Sequence, residues 1–217
     1  MSLPVPPRVE IAQDIFLDGR LALFHRRENW LALADLHFGF ELSQRAAGRL
    51  VPFWGMKSAM ERLSHLLADY KPERLIIVGD LVHDQAATEV LRALLSRVAA
   101  QCEVIAIAGN HDRKLRSCIP LVDSFSTPEF EFHHGNCHRD TAGRISIVGH
   151  FHPAAMLRDG AGLHLKFPAF VQEAHCWILP AFSSWAAGTV WETGEEARIW
   201  VCTPHRILSL EPRESAA

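Results

Sequence analysis

The chain has 217 residues, with 22 Lys and Arg against 25 Asp and Glu, a formal net charge of −3, and 48% hydrophobic residues. These proportions exclude a disordered chain and a generic polyanion binder. At roughly 150 residues per domain, a single domain over 1–217 is the expectation, with 211–217 as a frayed tail.

The N-terminus holds Pro4, Pro6 and Pro7 and no signal-like apolar stretch, and no apolar run nears the ~20 residues of a membrane span. The five cysteines (Cys102, Cys118, Cys137, Cys176 and Cys202) form no C-x-x-C pair. Together these features predict a cytoplasmic protein, with no membrane partner and with buried structural thiols.

In chain order, the first strong element is Trp30-Leu31-Ala32-Leu33-Ala34, an apolar run that reads as a buried strand and runs into Asp35-Leu36-His37. Residues 57–70 set Met60, Leu63, Leu66, Leu67 and Tyr70 on one helical face, with Pro72 as a stop. Leu75–Val78 then runs into Gly79-Asp80. A second helix over 86–100 aligns Val90, Leu91, Leu94, Leu95 and Val98. Val104–Ala108 runs into Gly109-Asn110-His111-Asp112. This alternation predicts a parallel sheet of βαβ units. Beyond residue 125 the texture changes to strands without long helices. Phe130–Phe132 leads to His134-Gly135, Ile145–Val148 runs into Gly149-His150-Phe151-His152, and Ala197–Val201 alternates.

Ligands in open α/β sheets gather beyond the carboxyl ends of strands. Here those ends deliver Asp35, His37, Asp80, Asn110, His111, His134, His150 and His152. Imidazoles, carboxylates and one amide make a mixed N/O donor set that favours Mn, Fe or Zn over Ca or Mg. With His111 set aside, the set is too large for one tetrahedral ion and suits two ions that share a carboxylate. A lone D-x-H is usually a loop pair, and Gly-Asn-His-Asp alone reads as a turn. It is the joint occurrence that points to a metal site. Strand alternation puts His134 on the face of Phe130 and Phe132, and its rival His133 on the face of Glu131. His83 reads as a hydrogen-bonding neighbour and His138 as a loop residue. His25, His65, His164, His175 and His205 lack any motif. Trp177, Trp185, Trp191 and Trp200 read first as core.

The ordered series D-x-H, G-D, G-N-H-D, H-G and G-H-x-H resembles the calcineurin-like metallophosphoesterase superfamily. Within it, Asp35-Leu36-His37-Phe38-Gly39, Gly79-Asp80-Leu81-Val82-His83 and Leu179-Pro180-Ala181-Phe182 are most similar to the bacterial ligase-associated DNA-damage-response endonucleases. Ser183 stands where that group commonly has glycine. The resemblance implies a four-layer α/β/β/α sandwich of two mixed sheets, with the parallel strands from the first half. It implies two divalent ions, Mn first and Fe or Zn next. One would be held by Asp35, His37, Asp80 and His152, the other by Asp80, Asn110, His134 and His150. His111 would be the general acid, and Asp112 would orient His111 or its loop. The implied reaction is hydrolysis of phosphodiesters, DNA first, in a repair system with a DNA ligase or helicase. The alternatives are a phosphatase or phosphodiesterase for a small nucleotide and, from another class, a non-catalytic scaffold. A scaffold sits poorly with a complete ligand set.

Residues 38–57 carry Arg45, Arg49 and Lys57 among Phe38, Phe40, Phe53 and Trp54, and residues 113–116 add Arg113, Lys114 and Arg116. Basic groups interleaved with aromatics suit a nucleic-acid strand, against the plainer reading of a solvated loop packed on the core.

Overall fold

A computed structural model describes residues 6–135, 141–158, 160–186, 188–192 and 197–210. Pro4, Cys137, His138 and the expected 211–217 tail lie outside the described residues.

The chain opens with β1 (Arg8–Ala12), β2 (Ile15–Asp18), β3 (Ala22–His25) and β4 (Trp30–Ala34), an antiparallel meander that the sequence pattern did not announce. Short helix α1 (Phe40–Ala46) and long helix α2 (Gly55–Tyr70) lead to β5 (Arg74–Val78), and α3 (Thr88–Ala99) leads to β6 (Glu103–Ile107). β4, β5 and β6 pair in parallel, in the register Ala32 to Ile76 to Ile105. Because β4 is buried along its whole length, as are Leu75–Val78 of β5, their sequences read as unbroken apolar runs. The six-stranded sheet is therefore mixed, with its antiparallel half at the N-terminus.

α2 buries Ala59, Leu63, Leu66 and Leu67, the i, i+4, i+7, i+8 stripe of a helix lying on a sheet. It stops at Lys71, which takes the left-handed conformation (φ 46°) just before Pro72. On α3, Leu91, Leu94 and Val98 are buried, whereas Val90, expected on that face, is 39% exposed. The two parallel crossovers share one hand, so both helices cover one face of this sheet.

The second sheet is built from β7 (Ser124–Ser126), β8 (Phe130–His133), β9 (Ile145–Val148), β10 (Pro153–Arg158), β11 (His164–Gln172), β12 (Cys176–Ile178), β13 (Thr189–Val190), β14 (Arg198–Cys202) and β15 (Ile207–Leu210). Its pairings are also mixed: β8–β9 and β9–β12 run parallel, and β10–β11 and β11–β14 antiparallel. An α/β sandwich of two mixed sheets is thus present, with its α-helices, among the described residues, all before residue 100. The sheets meet through aromatic edges. Trp30 of β4 stands T-shaped to Phe132 (5.1 Å) and Phe130 (5.6 Å) of β8, and Phe130 packs on Trp177.

Backbone bonds stitch the strand ends of the two sheets together. Phe182 N–H donates to the Ala34 carbonyl (2.7 Å), and Ser183 N–H to that of Asp35 (3.1 Å). Cys202 is buried, Cys102 and Cys176 are half-buried, and Cys118 is exposed, which corrects the expectation that every thiol is interior. No helix among the described residues is long and apolar enough to cross a membrane.

Candidate metal centre

Each strand of the expected set ends at this seam, and the chain turns there through unusual backbone. Asp35, His37, Asp80, His150 and His152 all have positive φ, between 41° and 69°. Left-handed backbone costs an L-residue about 1–3 kcal/mol, so it persists only where neighbours hold it. Here His37 N–H donates to the Asp80 carbonyl (2.9 Å), Asp35 N–H to that of Gly79 (3.2 Å), and His150 N–H to Asp35 Oδ2 (2.9 Å).

The side chains converge in two clusters. In the first, His152 Nε2 lies 3.1 Å from His37 Nε2 and 3.5 Å from Asp35 Oδ2. In the second, His134 Nε2 lies 2.9 Å from Asn110 Oδ1, 3.0 Å from His150 Nδ1 and 3.5 Å from Asp80 Oδ2. Asp80 Oδ2 is also 3.9 Å from His37 Nε2, so one carboxylate stands between the clusters. His133 instead turns its Nε2 toward Ser146 Oγ, 3.4 Å away.

Asp112 is buried and accepts from the Leu81, Val82 and Gly109 N–H groups, tying the Asp80 turn to the Asn110 turn. These bonds position the two loops and make no contact with the His111 ring. Two glycines in the motifs have a steric reason. A Cβ at Gly79 would lie 1.9 Å from His134 Nδ1, and one at Gly109 would lie 2.0 Å from Asp80 Oδ1 and 2.2 Å from Asp80 N. Gly109→Ala should therefore displace Asp80 and weaken divalent-ion binding by about 10–100-fold, the usual effect of disturbing a ligand's support. Isothermal titration with Mn²⁺ checks this. Unchanged affinity would mean that the Asp80 carboxylate does not hold an ion from this position.

Burial sets the electrostatics. It pushes His37 down to about 3 and His134 down to about 4, so both imidazoles are neutral at pH 7 and have lone pairs to offer. Asp35 is held well above the usual carboxylate range by burial, and the adjacent Asp80 adds to the effect. Asp35 Oδ1 and His37 Nδ1 are buried with no hydrogen-bond partner. Neutral imidazoles and two crowded carboxylates with unsatisfied atoms are a donor set that lacks only positive charge, so the residues fit divalent ions.

A cavity of about 180 Å³ opens at the first cluster, lined by His37, Phe40, His83, His111, His152 and Trp185 among others. His111 is exposed. Its ring lies 5.4 Å from that of His37 and stacks on that of His83 (5.8 Å), while its backbone N–H donates to Asp80 Oδ1 (3.0 Å). An aromatic row then leads outward: His83 to Phe40 (5.1 Å), Phe40 to Trp185 (5.5 Å, stacked), and Trp185 to Trp54 (6.3 Å). Trp177 and Trp200 are core as expected, but Trp185 is a wall of the cavity. Its flanks, Ser183-Ser184 and Ala186 just past a strand end, were the available sign of a loop position. Phe38, grouped in the sequence with the substrate-facing aromatics, is buried.

The family model for calcineurin-like phosphoesterases matches residues 30–168, a span that contains every motif above. No curated protein matches the sequence. Among solved structures, that of Pseudomonas putida nuclease MPE superposes with a TM-score of 0.72 at 24% identity, covering 95% of this chain and 100% of that one.

Proposed function

The chain belongs to the calcineurin-like phosphoesterase family and is a metal-dependent phosphoesterase, and within that family we propose that it is a two-ion phosphodiesterase acting on DNA. One observation carries the reading: two ligand clusters meet at Asp80, and the first of them, through His37 and His152, lines a cavity whose wall continues as an aromatic row. One ion would be held by Asp35, His37, Asp80 and His152, and the other by Asp80, Asn110, His134 and His150. Divalent ions held there, Mn first and Fe or Zn next, supply Lewis acidity and positive charge to a phosphoryl group.

The chain's own groups do the rest. His111 faces the same cavity without being a ligand, and it gives its proton to the leaving oxygen. Asp112 keeps the Asp80 and Asn110 loops in register through backbone amides.

The aromatic row favours a nucleic-acid strand over a compact phosphate ester. Leu50, Phe53 and Trp54 are 97%, 50% and 64% exposed, and the Arg45 guanidinium sits 4.4 Å over the Phe53 ring. Arg113 and Lys114 are exposed just beyond His111, whereas Arg116 is paired with Asp123. Base stacking on an aromatic contributes about 1–3 kcal/mol per base. Trp54→Ala should therefore raise KM on single-stranded DNA by roughly fivefold to 150-fold, with a far smaller effect on bis(p-nitrophenyl) phosphate. Rising salt should weaken the DNA reaction alone. Equal loss on both substrates would make Trp54 a support of the cavity rather than a stacking platform.

A nuclease among the structural neighbours supports a nuclease reading, and the motif resemblance to ligase-associated endonucleases extends it to DNA and to a cytoplasmic repair role beside a ligase or helicase. The modest volume of the cavity favours the second reading, a phosphodiesterase or phosphatase for small nucleotides. The deciding experiment sets the Mn-loaded protein against single-stranded DNA, 2′,3′-cyclic nucleotides and phosphomonoesters side by side. Preference for DNA supports the proposal, and preference for either small substrate overturns it.

A further inference from the structure

A second cavity of about 240 Å³ adjoins the first and shares His152, Ser183 and Ala186 with it. Its lining includes two cations, Arg62 of α2 and Lys166 of β11. The Arg62 guanidinium lies 3.9 Å over the Phe182 ring and donates to the Phe182 carbonyl, while its Nε is buried with no hydrogen-bond partner. No carboxylate among the described residues pairs with it, and burial pushes it down to about 10, which leaves it charged at neutral pH. Lys166 is exposed at the same cavity, held by a 3.1 Å bond from Nζ to the Gly188 carbonyl. A half-enclosed cation without a counterion is costly unless an anion completes it. The planar fork of an arginine matches the oxygens of a phosphate.

We propose that Arg62 and Lys166 form a subsite for a second phosphate group of the substrate, adjacent to the phosphodiester that is cleaved. The inference rests on the phosphodiesterase reading and extends it: the preferred substrate carries at least two phosphates. The second phosphate is either internal to a strand or terminal. The cavity walled by the stacking row and the cationic cavity adjoin at His152, Ser183 and Ala186, so a strand running from one into the other would be gripped by its bases in the first and by its backbone in the second.

The test has a binding arm and a kinetic arm. Thymidine 3′,5′-bisphosphate is titrated into metal-free wild type, Arg62→Met, Arg62→Lys and Lys166→Gln. Wild type should bind, Arg62→Met and Lys166→Gln at least tenfold more weakly, and Arg62→Lys in between. Lys166 is exposed, so its variant carries the test if Arg62→Met fails to fold. Metal-loaded proteins are then compared on trithymidylate, on 5′-phosphorylated dithymidylate and on bis(p-nitrophenyl) phosphate. A rise in KM confined to trithymidylate assigns the subsite to an internal phosphate, and one confined to the 5′-phosphorylated dinucleotide assigns it to a terminal phosphate. Unchanged affinity and KM, or equal losses on all three substrates, overturn the subsite while leaving the phosphodiesterase reading intact. If the variants lose the bisphosphate but wild type cleaves no diester, the subsite stands and that reading falls.

Discussion

Asp80→Asn should reduce bound metal from about two ions per chain to one or fewer, and should lower kcat/KM on bis(p-nitrophenyl) phosphate by at least about 10²–10³-fold, the loss seen when one electrostatic support of a transition state is removed. The reason is positional. Asp80 Oδ2 lies 3.5 Å from His134 Nε2 and 3.9 Å from His37 Nε2, one in each cluster, so a single charge serves both. The amide preserves size and removes that charge. Misfolding would be a poor explanation of the loss. Asp80 opposes ionisation of the buried Asp35 carboxyl, so the metal-free variant should melt no lower than metal-free wild type. A variant that kept two ions and near-normal turnover would remove Asp80 from its shared position.

His111→Ala should separate substrates by their leaving groups. A sugar alkoxide must be protonated as the P–O bond breaks, whereas a nitrophenolate departs without help. General acid catalysis is worth about 10²–10⁴-fold where protonation is needed. Most of that factor should be lost on a DNA or alkyl diester, and far less on a nitrophenyl ester. Metal content should hold, because His111 supports Asp80 only through its backbone N–H. The measurement is kcat/KM on both substrates alongside metal analysis. Equal losses with metals intact would make the ring an electrostatic stabiliser of the transition state and not the proton donor.

The parts of this protein that the sequence announces are those with a simple physical signature. β4 spans the same residues in the structure as in the apolar pattern, because a central parallel strand is buried on both faces and needs an unbroken apolar run. The convergence of the candidate ligands was legible for a related reason. Each such strand ends in a turn, and the glycines at 79 and 109 mark places where a neighbouring ligand fills the space of a Cβ. The β1–β3 meander carried no such mark, since its strands are four or five residues long and β1 is mostly uncovered. α1 was equally silent: it has seven residues and starts at Gly39 without a side-chain cap. Val90 shows the limit of periodicity, because an apolar residue at the edge of a helical stripe can face water at little cost. Trp185 and Arg62 depend on which distant segments meet, and only the packing of α2 against the Phe182 segment brings Arg62 to a cavity.

The central claim is that two ions sit side by side on a shared Asp80. It is tested most directly by anomalous diffraction from crystals of the protein grown with Mn²⁺, with data collected at the manganese edge. Two peaks are expected, one among Asp35, His37 and His152 and the other among Asp80, Asn110, His134 and His150, both within bonding distance of the Asp80 carboxylate. A single peak, or peaks that leave Asp80 bound to one ion or none, would contradict it.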